Sequence, residues 1–416
     1  MEKGNNVMQP GQLYPGDTQR QTARYAALRE AFAAAFGRSE GIRFFSAPGR
    51  SEIGGNHTDH QHGCVLACAV TLDLAAAVTA RDDQQICICS EGYDPIRLDA
   101  NQTEPNPQEK NTSVALVRGI LAGLRQRGWR TGGFDACVES DVPKGSGLSS
   151  SAAYSILIAS IISGLYNDGT ISPLDQALAS KLAENVYFGK PSGLMDQLAC
   201  ATGGFAAIDF ADPEQPVVER IDCDLERMGY AICIVNPGGS HANLTPEYAA
   251  IPEEMYAVAH ALGKQVLREV PEEQFYAEIA SLRQKTGDRA VLRAMHYFAE
   301  NIRAQQQAAA LKQGDMEQFR QLMRQSGSSS FEQLQNVCPA DAGERSLALA
   351  LALSERMIGE SGAWRVHGGG FAGTMQALVP LDRAQAYTEM MERVFGEGCC
   401  YRLRVRPIGG CEVKLS

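Results

Sequence analysis

Long apolar runs are scarce in this sequence of 416 residues. Residues 1–20 contain no apolar core followed by a signal-cleavage pattern. The most apolar stretch, residues 64–80, carries Asp73 and is too short for a membrane span. We therefore expect a cytoplasmic protein that has no membrane partner.

Basic residues are fewer than acidic residues in this chain. The chain has 38 Lys and Arg against 49 Asp and Glu, which gives a formal net charge of -11. Proteins that bind nucleic acids or anionic membranes need a basic surface, so we expect no nucleic-acid partner. A phosphate-bearing ligand would need a local site built to receive it.

The chain has 12 cysteines but no two CxxC-like pairs of the kind that hold a metal ion. Cys64 and Cys68 have no second such pair elsewhere, and most of the other cysteines lie within apolar runs. The spacing therefore favours reduced cysteines that act as small buried hydrophobic residues.

The composition is that of a globular protein, with 44% hydrophobic and 21% charged residues. Its length suits two domains with a cleft between them. Residues 211–220 are rich in proline and charge, so we place the boundary there and assign residues 1–212 and 213–416 to the two domains. The predicted strands and helices do not alternate strictly, which favours an α+β fold. One predicted strand begins at residue 42 and is expected to stop at Pro48.

Three well-known motifs are missing or stand in the wrong context. No G-x-x-x-x-G-K-[ST] sequence occurs, which excludes a P-loop. Residues 37–41 fit G-x-S-x-G, but a predicted helix precedes them and a predicted strand follows, the reverse of a nucleophile elbow. Gly368, Gly370 and Gly373 fit G-x-G-x-x-G, yet residues 374–380 resemble a strand rather than a helix. A serine hydrolase and a nicotinamide-dependent enzyme are both disfavoured.

Histidines are concentrated in one short stretch. Residues 57–62 read HTDHQH and hold three of the chain's seven histidines beside Asp59. A metal site is one interpretation, but close histidines in a loop need a convergent geometry that spacing alone does not give. By default we expect His60 and His62 to be plain surface residues.

A loop rich in glycine and serine precedes a strongly apolar predicted helix. Residues 142–154 read VPKGSGLSSSAAY, in which Gly145 and Gly147 permit tight turns. Ser149 to Ser151 can cap the helix, whose first N-H groups have no internal partners. Backbone donors and the positive helix end would form an anion site. A glycine-rich turn before a capped, buried helix explains the same residues, so local chemistry leaves both interpretations open.

Several motifs of this chain resemble those of one family, in the same order. Residues 142–153 are similar to LPxGxGLSSSAA, the phosphate-binding motif of the GHMP small-molecule kinases. SAPGR at 46–50 and GGNHTDH at 54–60 resemble the galactokinase signature APGRVNLIGEHTDYNGG. The later matches are Glu184, PSGLMDQ at 191–197, residues 236–248 and GGGFAG at 368–373. The matches extend over residues 42–410, so the chain resembles the galactokinases over nearly its whole length.

The resemblance implies a two-domain GHMP kinase fold of the α+β class. Its N-terminal lobe would be ribosomal-protein-like and its C-terminal lobe ferredoxin-like, with the active site in the cleft between them. The implied activity is that of an ATP-dependent sugar 1-kinase, which converts galactose to galactose 1-phosphate and ADP. The expected partners are a small-molecule sugar and ATP, the cofactor is Mg²⁺, and the chain would be a monomer or a weak homo-oligomer.

The resemblance also implies a role for each motif residue. Asp196 would accept the proton of the anomeric hydroxyl, and Arg50 beside it would keep that carboxylate ionised and stabilise the transferred phosphoryl group. The implied sugar-binding residues are Asn56, His57, Asp59, Gly193 and Tyr248. The implied nucleotide-binding residues are Gly145, Ser146, Gly147, Leu148, Ser149, Ser150, Ser151, Gly369 and Gly370. Mg²⁺ would be held by Glu184 and Ser151, or by Ser150 in place of Ser151.

The resemblance breaks at several positions of the sugar signature, among them Ile53 and Gly54 in place of Leu and Ile, and two of the departures bear on the substrate. Asn56 stands where the family has Glu, and Glu52 stands where it has Asn. In the family that Glu contacts the C6 hydroxyl of the sugar, and Asn there removes a negative charge. A kinase for galacturonate or N-acetylgalactosamine is therefore an alternative. Equally, Asn56 still binds a C6 hydroxyl, or Glu52 takes the place of the lost carboxylate.

A non-catalytic sensor of galactose and ATP is an alternative of another class. Such relatives tend to have a damaged phosphate motif, whereas residues 149–153 are intact here. The presence of Arg50, Glu184 and Asp196 favours catalysis. His367 and Ala372, in place of the family's Thr and Gly, are milder departures in the C-terminal glycine loop.

Overall fold

The computed structural model describes residues 7–143, 145–239, 244–341 and 343–415. Lys144 of the phosphate motif and residues 240–243 of the 236–248 stretch lie outside this part of the chain. Within it, no helix combines the length and the apolar character that a membrane span requires.

The strands fall into two sheets. In chain order they are β1 Val7–Met8, β2 Arg43–Gly54, β3 Cys64–Ala80, β4 Gln85–Ser90, β5 Ile96–Asp99, β6 Phe134–Ser140, β7 Phe205–Asp209, β8 Val217–Ile221, β9 Tyr230–Val235, β10 Ala363–His367, β11 Thr374–Pro380, β12 Cys400–Leu403 and β13 Cys411–Val413.

The helices occupy much of the remaining chain. They are α1 Pro10–Leu13, α2 Thr18–Phe36, α3 Ser113–Gln126, α4 Ser150–Tyr166, α5 Pro173–Leu182, α6 Met195–Thr202, α7 Thr245–Ala261, α8 Glu272–Ala277, α9 Ile279–Thr286, α10 Asp288–Gln313, α11 Met316–Ser329, α12 Ser346–Ile358 and α13 Ala384–Phe395. Two π-helical turns, Ala183–Phe188 and Ser330–Leu334, follow α5 and α11.

The larger sheet has the order β1-β13-β2-β3-β6-β4-β5, and β7 and β8 extend it beside one end of β3. The long strand β3 makes this possible, because Cys64–Cys68 pairs with β7 while Leu74–Ala80 pairs with β6. The apolar helix α4 packs on β2 and β3 together with α3, α5 and α6, and α2 covers the opposite face. The glycine-serine loop before α4 is thereby held beside β2.

The smaller sheet has the antiparallel order β10-β11-β9-β12. Helices α12 and α13 pack on one of its faces, and α11 packs on the other. Helix α10 connects the two halves, because it contacts α11 as well as β2 and β3. The domain boundary at residues 212 and 213 stays a prediction, and β8, just beyond it, still pairs with β7 in the larger sheet.

Strand β2 continues past Pro48, so the prediction that the strand stops there is wrong. Its pairing register with β3 shifts between Pro48 and Arg50. Across this irregularity β2 advances by two residues and β3 by four, so the extra residues belong to β3 and the ladder is interrupted next to Pro48, where the missing N–H of proline is tolerated. The strand therefore extends to Gly54 and carries Arg50 to the edge of the cleft.

The context of the two rejected motifs is confirmed. Helix α2 ends at Phe36 before residues 37–41, and β2 begins after them at Arg43. The glycines at 368–373 are followed by strand β11. Neither segment has the strand-to-helix order that its motif requires.

A buried cluster of charged side chains connects separate segments of the first lobe. The Asp73 carboxylate of β3 is fully buried and lies 2.6 Å from a guanidinium nitrogen of Arg24 in α2 and 2.6 Å from one of Arg406. Tyr14 and Ser46 donate hydroxyl hydrogen bonds to it. Burial raises the pKa of Asp73, but the two guanidinium groups and the hydroxyl donors outweigh it, and the pKa lies below its ordinary value.

Removing this charge should destabilise the protein. The Asp73→Asn variant leaves the buried guanidinium of Arg406 without a counter-charge and Arg24 with only its longer pairs to Glu139 and Asp141. We therefore expect this variant to lose about 3–5 kcal/mol of unfolding free energy. Because the folded-state pKa is lowered, the stabilisation is present above the unfolded pKa of about 3.9 and is lost as the pH falls through the folded value. Urea denaturation at pH 7 measures the difference. The exposed Asp288→Asn, which removes the surface pair with Arg283, is the control and should change little. Equal midpoints for Asp73→Asn and the wild type would contradict the assignment.

Candidate active site

A cleft lies where the two sheets meet. One wall is the glycine-serine loop of residues 145–151, and the other is the glycine loop of residues 368–370 with Gly373. Arg50 and Asp196 also line it. The sequence predicted these segments separately, and the structure brings them to one place.

The glycine-serine loop presents backbone donors to the cleft. Gly145 and Gly147 have φ of 72° and 73°, a left-handed conformation that favours glycine. Ser149, before α4, has φ of 55°, and its hydroxyl makes no capping bond. No described residue accepts a hydrogen bond from the amides of Ser150 or Ser151. The arrangement favours the anion-site interpretation over a helix capped by its own serine.

A carboxylate and a guanidinium form the polar centre of the cleft. Arg50 Nε lies 2.7 Å from Asp196 Oδ1, and Ser149 donates its hydroxyl to the other oxygen of Asp196. Arg50 also donates to the carbonyl of Gly147. The Asp196 side chain is 32% exposed, whereas that of Arg50 is 8% exposed. Burial raises the pKa of Asp196, but Arg50 and Ser149 more than offset it and hold the carboxylate ionised.

Asp59 and Gly193 approach each other closely beside this pair. A Cβ atom at Gly193 would lie 2.1 Å from Asp59 Oδ2, so the carboxylate occupies space that only glycine leaves open. Burial, together with the charges of Asp196 and Glu52, raises the pKa of Asp59 to about 6. Asp59 is therefore a carboxylate that titrates close to neutral pH.

Tyr248 of α7 and His57 of the sugar signature both contact the glycine loop of residues 368–370. The Tyr248 hydroxyl donates to the carbonyl of Gly370 at 3.1 Å, and its ring leaves no room for a side chain at Gly369. His57 Nε2 lies 3.4 Å from the carbonyl of Gly369. Burial lowers the pKa of His57 to about 4, so its ring is neutral at pH 7. His57 thus contacts the glycine loop from the first lobe, whereas Tyr248 contacts it from α7, which belongs to the same lobe as the loop.

Asn56 is fully buried and bonded to protein groups. Its Nδ2 donates to Glu52 at 3.0 Å and to the carbonyl of Gly368 at 2.8 Å, while its Oδ1 accepts from Asn336 at 2.9 Å. Glu52 in turn lies 2.7 Å from Arg365. Asn56 and Glu52 stand where the family signature has Glu and Asn, and their side chains bond to each other. A sugar contact by Asn56 stays a prediction.

Helix α10 supplies two supporting residues that the sequence analysis missed. Glu300 accepts from the amide of Gly55 at 3.0 Å, and His296 Nε2 lies 3.0 Å from the carbonyl of Asn56. Burial raises the pKa of Glu300, but Arg303 and other neighbouring cations outweigh it and lower the pKa to about 2. The spacing of His296 and Glu300, four residues apart, places them on one helix face and was the available signal.

Glu184 has the chemistry of a magnesium ligand. It is 3% exposed, one of its oxygens accepts from Gln197 at 3.2 Å, and the other has no hydrogen-bond partner. A buried carboxylate oxygen left free, with serine hydroxyls available in the loop, suits a hard divalent cation. The metal role of Glu184 and Ser151 stays a prediction.

The histidine-rich stretch forms no metal cluster. Among the described residues, no group of three or more histidine, cysteine or acidic side chains is arranged to hold a metal ion. The expectation of a plain surface residue is wrong for His60, whose Nε2 is buried and whose ring lies near those of His57 and Tyr256. Tyr256 also donates its hydroxyl to the carbonyl of His60, so this residue belongs to the packing between the lobes.

Comparison with known families and structures identifies the fold. Residues 115–204 match the GHMP kinases N terminal domain, and residues 30–80 match the galactokinase galactose-binding signature. The crystal structure of Lactococcus lactis galactokinase complexed with galactose superposes with a TM-score of 0.80 at 23% identity, covering 93% of this chain and 99% of that one. A mevalonate kinase structure gives 0.60 at 16% identity, covering 87% and 99%. The fold and site define a small-molecule kinase with the GHMP fold, as predicted.

Sequence relatives show which family of small-molecule kinases this chain belongs to. Galactokinase of Mannheimia succiniciproducens is 32% identical over 368 residues, which cover 86% of this chain and 90% of that protein. Galactokinase of Streptomyces coelicolor is 31% identical over 360 residues, which cover 86% and 89%. The chain belongs to the galactokinase family. It is accordingly a phosphotransferase that uses ATP as co-substrate.

Loss of the Glu300 carboxylate should loosen the backbone of the sugar signature. In Glu300→Ala the amide of Gly55 loses its acceptor, so we expect amide exchange in residues 54–57 to accelerate about tenfold or more. Hydrogen-exchange mass spectrometry measures this, with α4 as the internal reference. Glu273→Ala, an exposed carboxylate on α8, is the matched control and should leave both segments unchanged. If residues 54–57 stay as protected as in the wild type, Glu300 does not position this turn.

Proposed function

We propose that the protein is an ATP-dependent sugar 1-kinase, which transfers the γ-phosphoryl group of ATP to the anomeric hydroxyl of galactose. The products are galactose 1-phosphate and ADP. The observation that carries the proposal is the ionised Asp196 carboxylate, bound to Arg50 and Ser149, beside a loop of free backbone donors. Similarity to galactokinases over 86% of the chain supports the choice of sugar.

The nucleotide phosphates are held between the two glycine-containing loops. Amides of residues 145–151 donate to phosphate oxygens, helped by the positive end of α4. Gly369 and Gly370 approach from the second lobe, where the absence of side chains leaves room for the nucleotide. Glu184 and Ser151 would hold Mg²⁺, which neutralises charge on the phosphate oxygens when bound.

The sugar lies against Asp59. An ionised carboxylate has only acceptors, so Asp59 accepts hydrogen bonds from two neighbouring sugar hydroxyls. Gly193 leaves the space in which that carboxylate sits. His57, Asn56 and Tyr248 complete the proposed sugar pocket, and the Asn56 side chain acts there while bonded to Glu52 and Gly368.

Asp196 receives the proton of the anomeric hydroxyl. The bond between that oxygen and the γ-phosphorus forms while the bond from the γ-phosphorus to the leaving ADP oxygen breaks. Because the lowered pKa makes Asp196 a weak base, the proton moves as the new bond forms and the hydroxyl oxygen becomes more acidic. Arg50, which donates to Asp196, stabilises negative charge on the phosphoryl group in transfer.

The two walls of the cleft, residues 145–151 and residues 368–370 of the same chain, lie on either side of the proposed boundary near residues 212 and 213. A monomer therefore contains every proposed site residue. We propose that the protein is a monomer or a weak homo-oligomer.

The decisive experiment is ADP release by the purified protein with ATP and magnesium. We expect turnover on galactose to exceed that on galacturonate, N-acetylgalactosamine, glucose and arabinose. Asp196→Asn should lower kcat by about 10²- to 10⁴-fold, because the proton acceptor is lost. Asp222→Asn, an exposed carboxylate outside the cleft, is the control and should retain wild-type turnover. Preference for another sugar would refute galactose as substrate, and binding without turnover on any sugar would indicate a sensor.

The raised pKa of Asp59 predicts a pH dependence. As the pH falls through about 6, Asp59 takes up a proton and loses its ability to accept from two hydroxyls. We expect kcat/KM for the sugar to decrease below that pH, because kcat/KM reports groups of the free enzyme. In Asp59→Asn the same step should be absent and KM for the sugar should be raised at all pH values. Persistence of the step in Asp59→Asn would assign it to another group.

A further inference from the structure

Lys190 is a cleft-lining cation that the motif comparison did not include. It follows the π-helical turn Ala183–Phe188 and stands directly before the PSGLMDQ motif. Its side chain lines the same cleft as Asp196 and the glycine-serine loop. The position therefore places a positive charge on the wall that carries the catalytic carboxylate.

The backbone that carries Lys190 is fixed. The amides of Gly189 and Lys190 both donate to the carbonyl of Glu184, at 2.9 and 3.0 Å. Pro191 follows and restricts the backbone of the residue before it. The ammonium group is therefore attached to a rigid turn, and only the side chain itself can move.

The ammonium group of Lys190 is not paired with another group of the described residues. Its side chain is exposed and makes no hydrogen bond or ion pair with any described residue. Arg50, the other lysine or arginine among the described lining residues, is already engaged with Asp196 and the carbonyl of Gly147. His367 also lines the cleft, but burial lowers its pKa far below the ordinary value, so it carries no charge at pH 7. Among the described lining residues, Lys190 is thus the cationic side chain whose donors are free.

The electrostatic field of Lys190 reaches the reacting groups. Its charge is one of the contributions that lower the pKa of Asp196, after the larger effects of Arg50 and Ser149. In a chain of net charge -11, an unpaired cation at this point is a local exception that attracts anions. A lysine ammonium is a mobile point charge with three donors, which suits a phosphoryl group whose oxygens shift during transfer.

We propose that Lys190 binds the γ-phosphoryl group of ATP and remains bonded to it through the transfer, as a second cation beside Arg50. The proposal rests on the proposed kinase function. It assigns Lys190 to the transferred group and not to the α- and β-phosphates, which the loop amides hold.

The test compares Lys190→Gln with a neighbouring lysine. Lys110 packs over Gly189, next to Lys190, but does not line the cleft, so Lys110→Gln is the matched control. We expect Lys190→Gln to lower kcat about 10- to 100-fold, because a group stabilising transition-state charge is removed. Lys110→Gln should stay within about twofold of the wild type, and Lys190→Arg, which keeps the charge, should recover most of the loss.

Nucleotide affinity separates this role from general anion attraction. Calorimetry should show that Lys190→Gln weakens binding of a non-hydrolysable ATP analogue about tenfold while leaving ADP affinity unchanged. Equal weakening of both nucleotides would assign Lys190 to the α- and β-phosphates and overturn the proposal. Unchanged kcat and unchanged analogue affinity would overturn it as well.

The two proposals fail in distinguishable ways. Wild-type protein that turns over no sugar would refute the kinase function, whatever Lys190 does. The comparison of analogue and ADP affinities needs no turnover, so it still decides whether Lys190 recognises the γ-phosphate.

Discussion

The guanidinium of Arg50 joins three segments that are distant in sequence. It lies on β2 just after the register shift with β3, pairs with Asp196 at the start of α6 and donates to Gly147 of the glycine-serine loop. Arginine suits this position because its planar fork makes several directed hydrogen bonds from a single charge. The distance between the proton acceptor and the phosphate loop is therefore set by this buried side chain together with the hydroxyl of Ser149, which bonds Asp196 directly. Every proposed step of the reaction depends on that spacing.

Buried carboxylates in this acidic chain are matched by arginines. Asp73 has two guanidinium partners, Glu52 pairs with Arg365 across the lobes, and Glu300 pairs with Arg303. Removing such charges from water is costly, so these pairs are better understood as fixing one arrangement of the backbone than as adding much net stability. In contrast, one carboxylate oxygen of Glu184 and the ammonium group of Lys190, both proposed to act on the nucleotide, have no hydrogen-bond partner among the described residues. These two groups therefore differ from the paired charges of the scaffold.

Local patterns in the sequence were sufficient to predict several elements, and the fold as a whole was predicted from the family resemblance. The glycine-serine loop, α4 and the strand after the second glycine loop follow from turn residues and apolar periodicity, and the family resemblance supplied the two-lobe architecture. The passage of β2 through Pro48 could not be predicted, because a bulge depends on the register with a neighbouring strand. The bonds from Asn56 to Asn336 and from Glu52 to Arg365 join residues 280 and 313 positions apart. Such contacts are determined by how the lobes pack, and no local pattern records them.

The pairing of β13 with β2 has a consequence for synthesis of the protein on the ribosome. The strand that carries Arg50 acquires its edge neighbour from residues 411–413, and Asp73 acquires its second guanidinium from Arg406. A nascent chain that has completed both glycine loops still has an open sheet edge and a half-neutralised buried carboxylate. The first lobe thus reaches its final form only after nearly the whole chain has been translated. Folding of the first lobe, which carries the glycine-serine loop, is in this way coupled to completion of the C-terminal part of the chain. Shortened products should therefore be degraded by proteases instead of persisting as partly folded kinases.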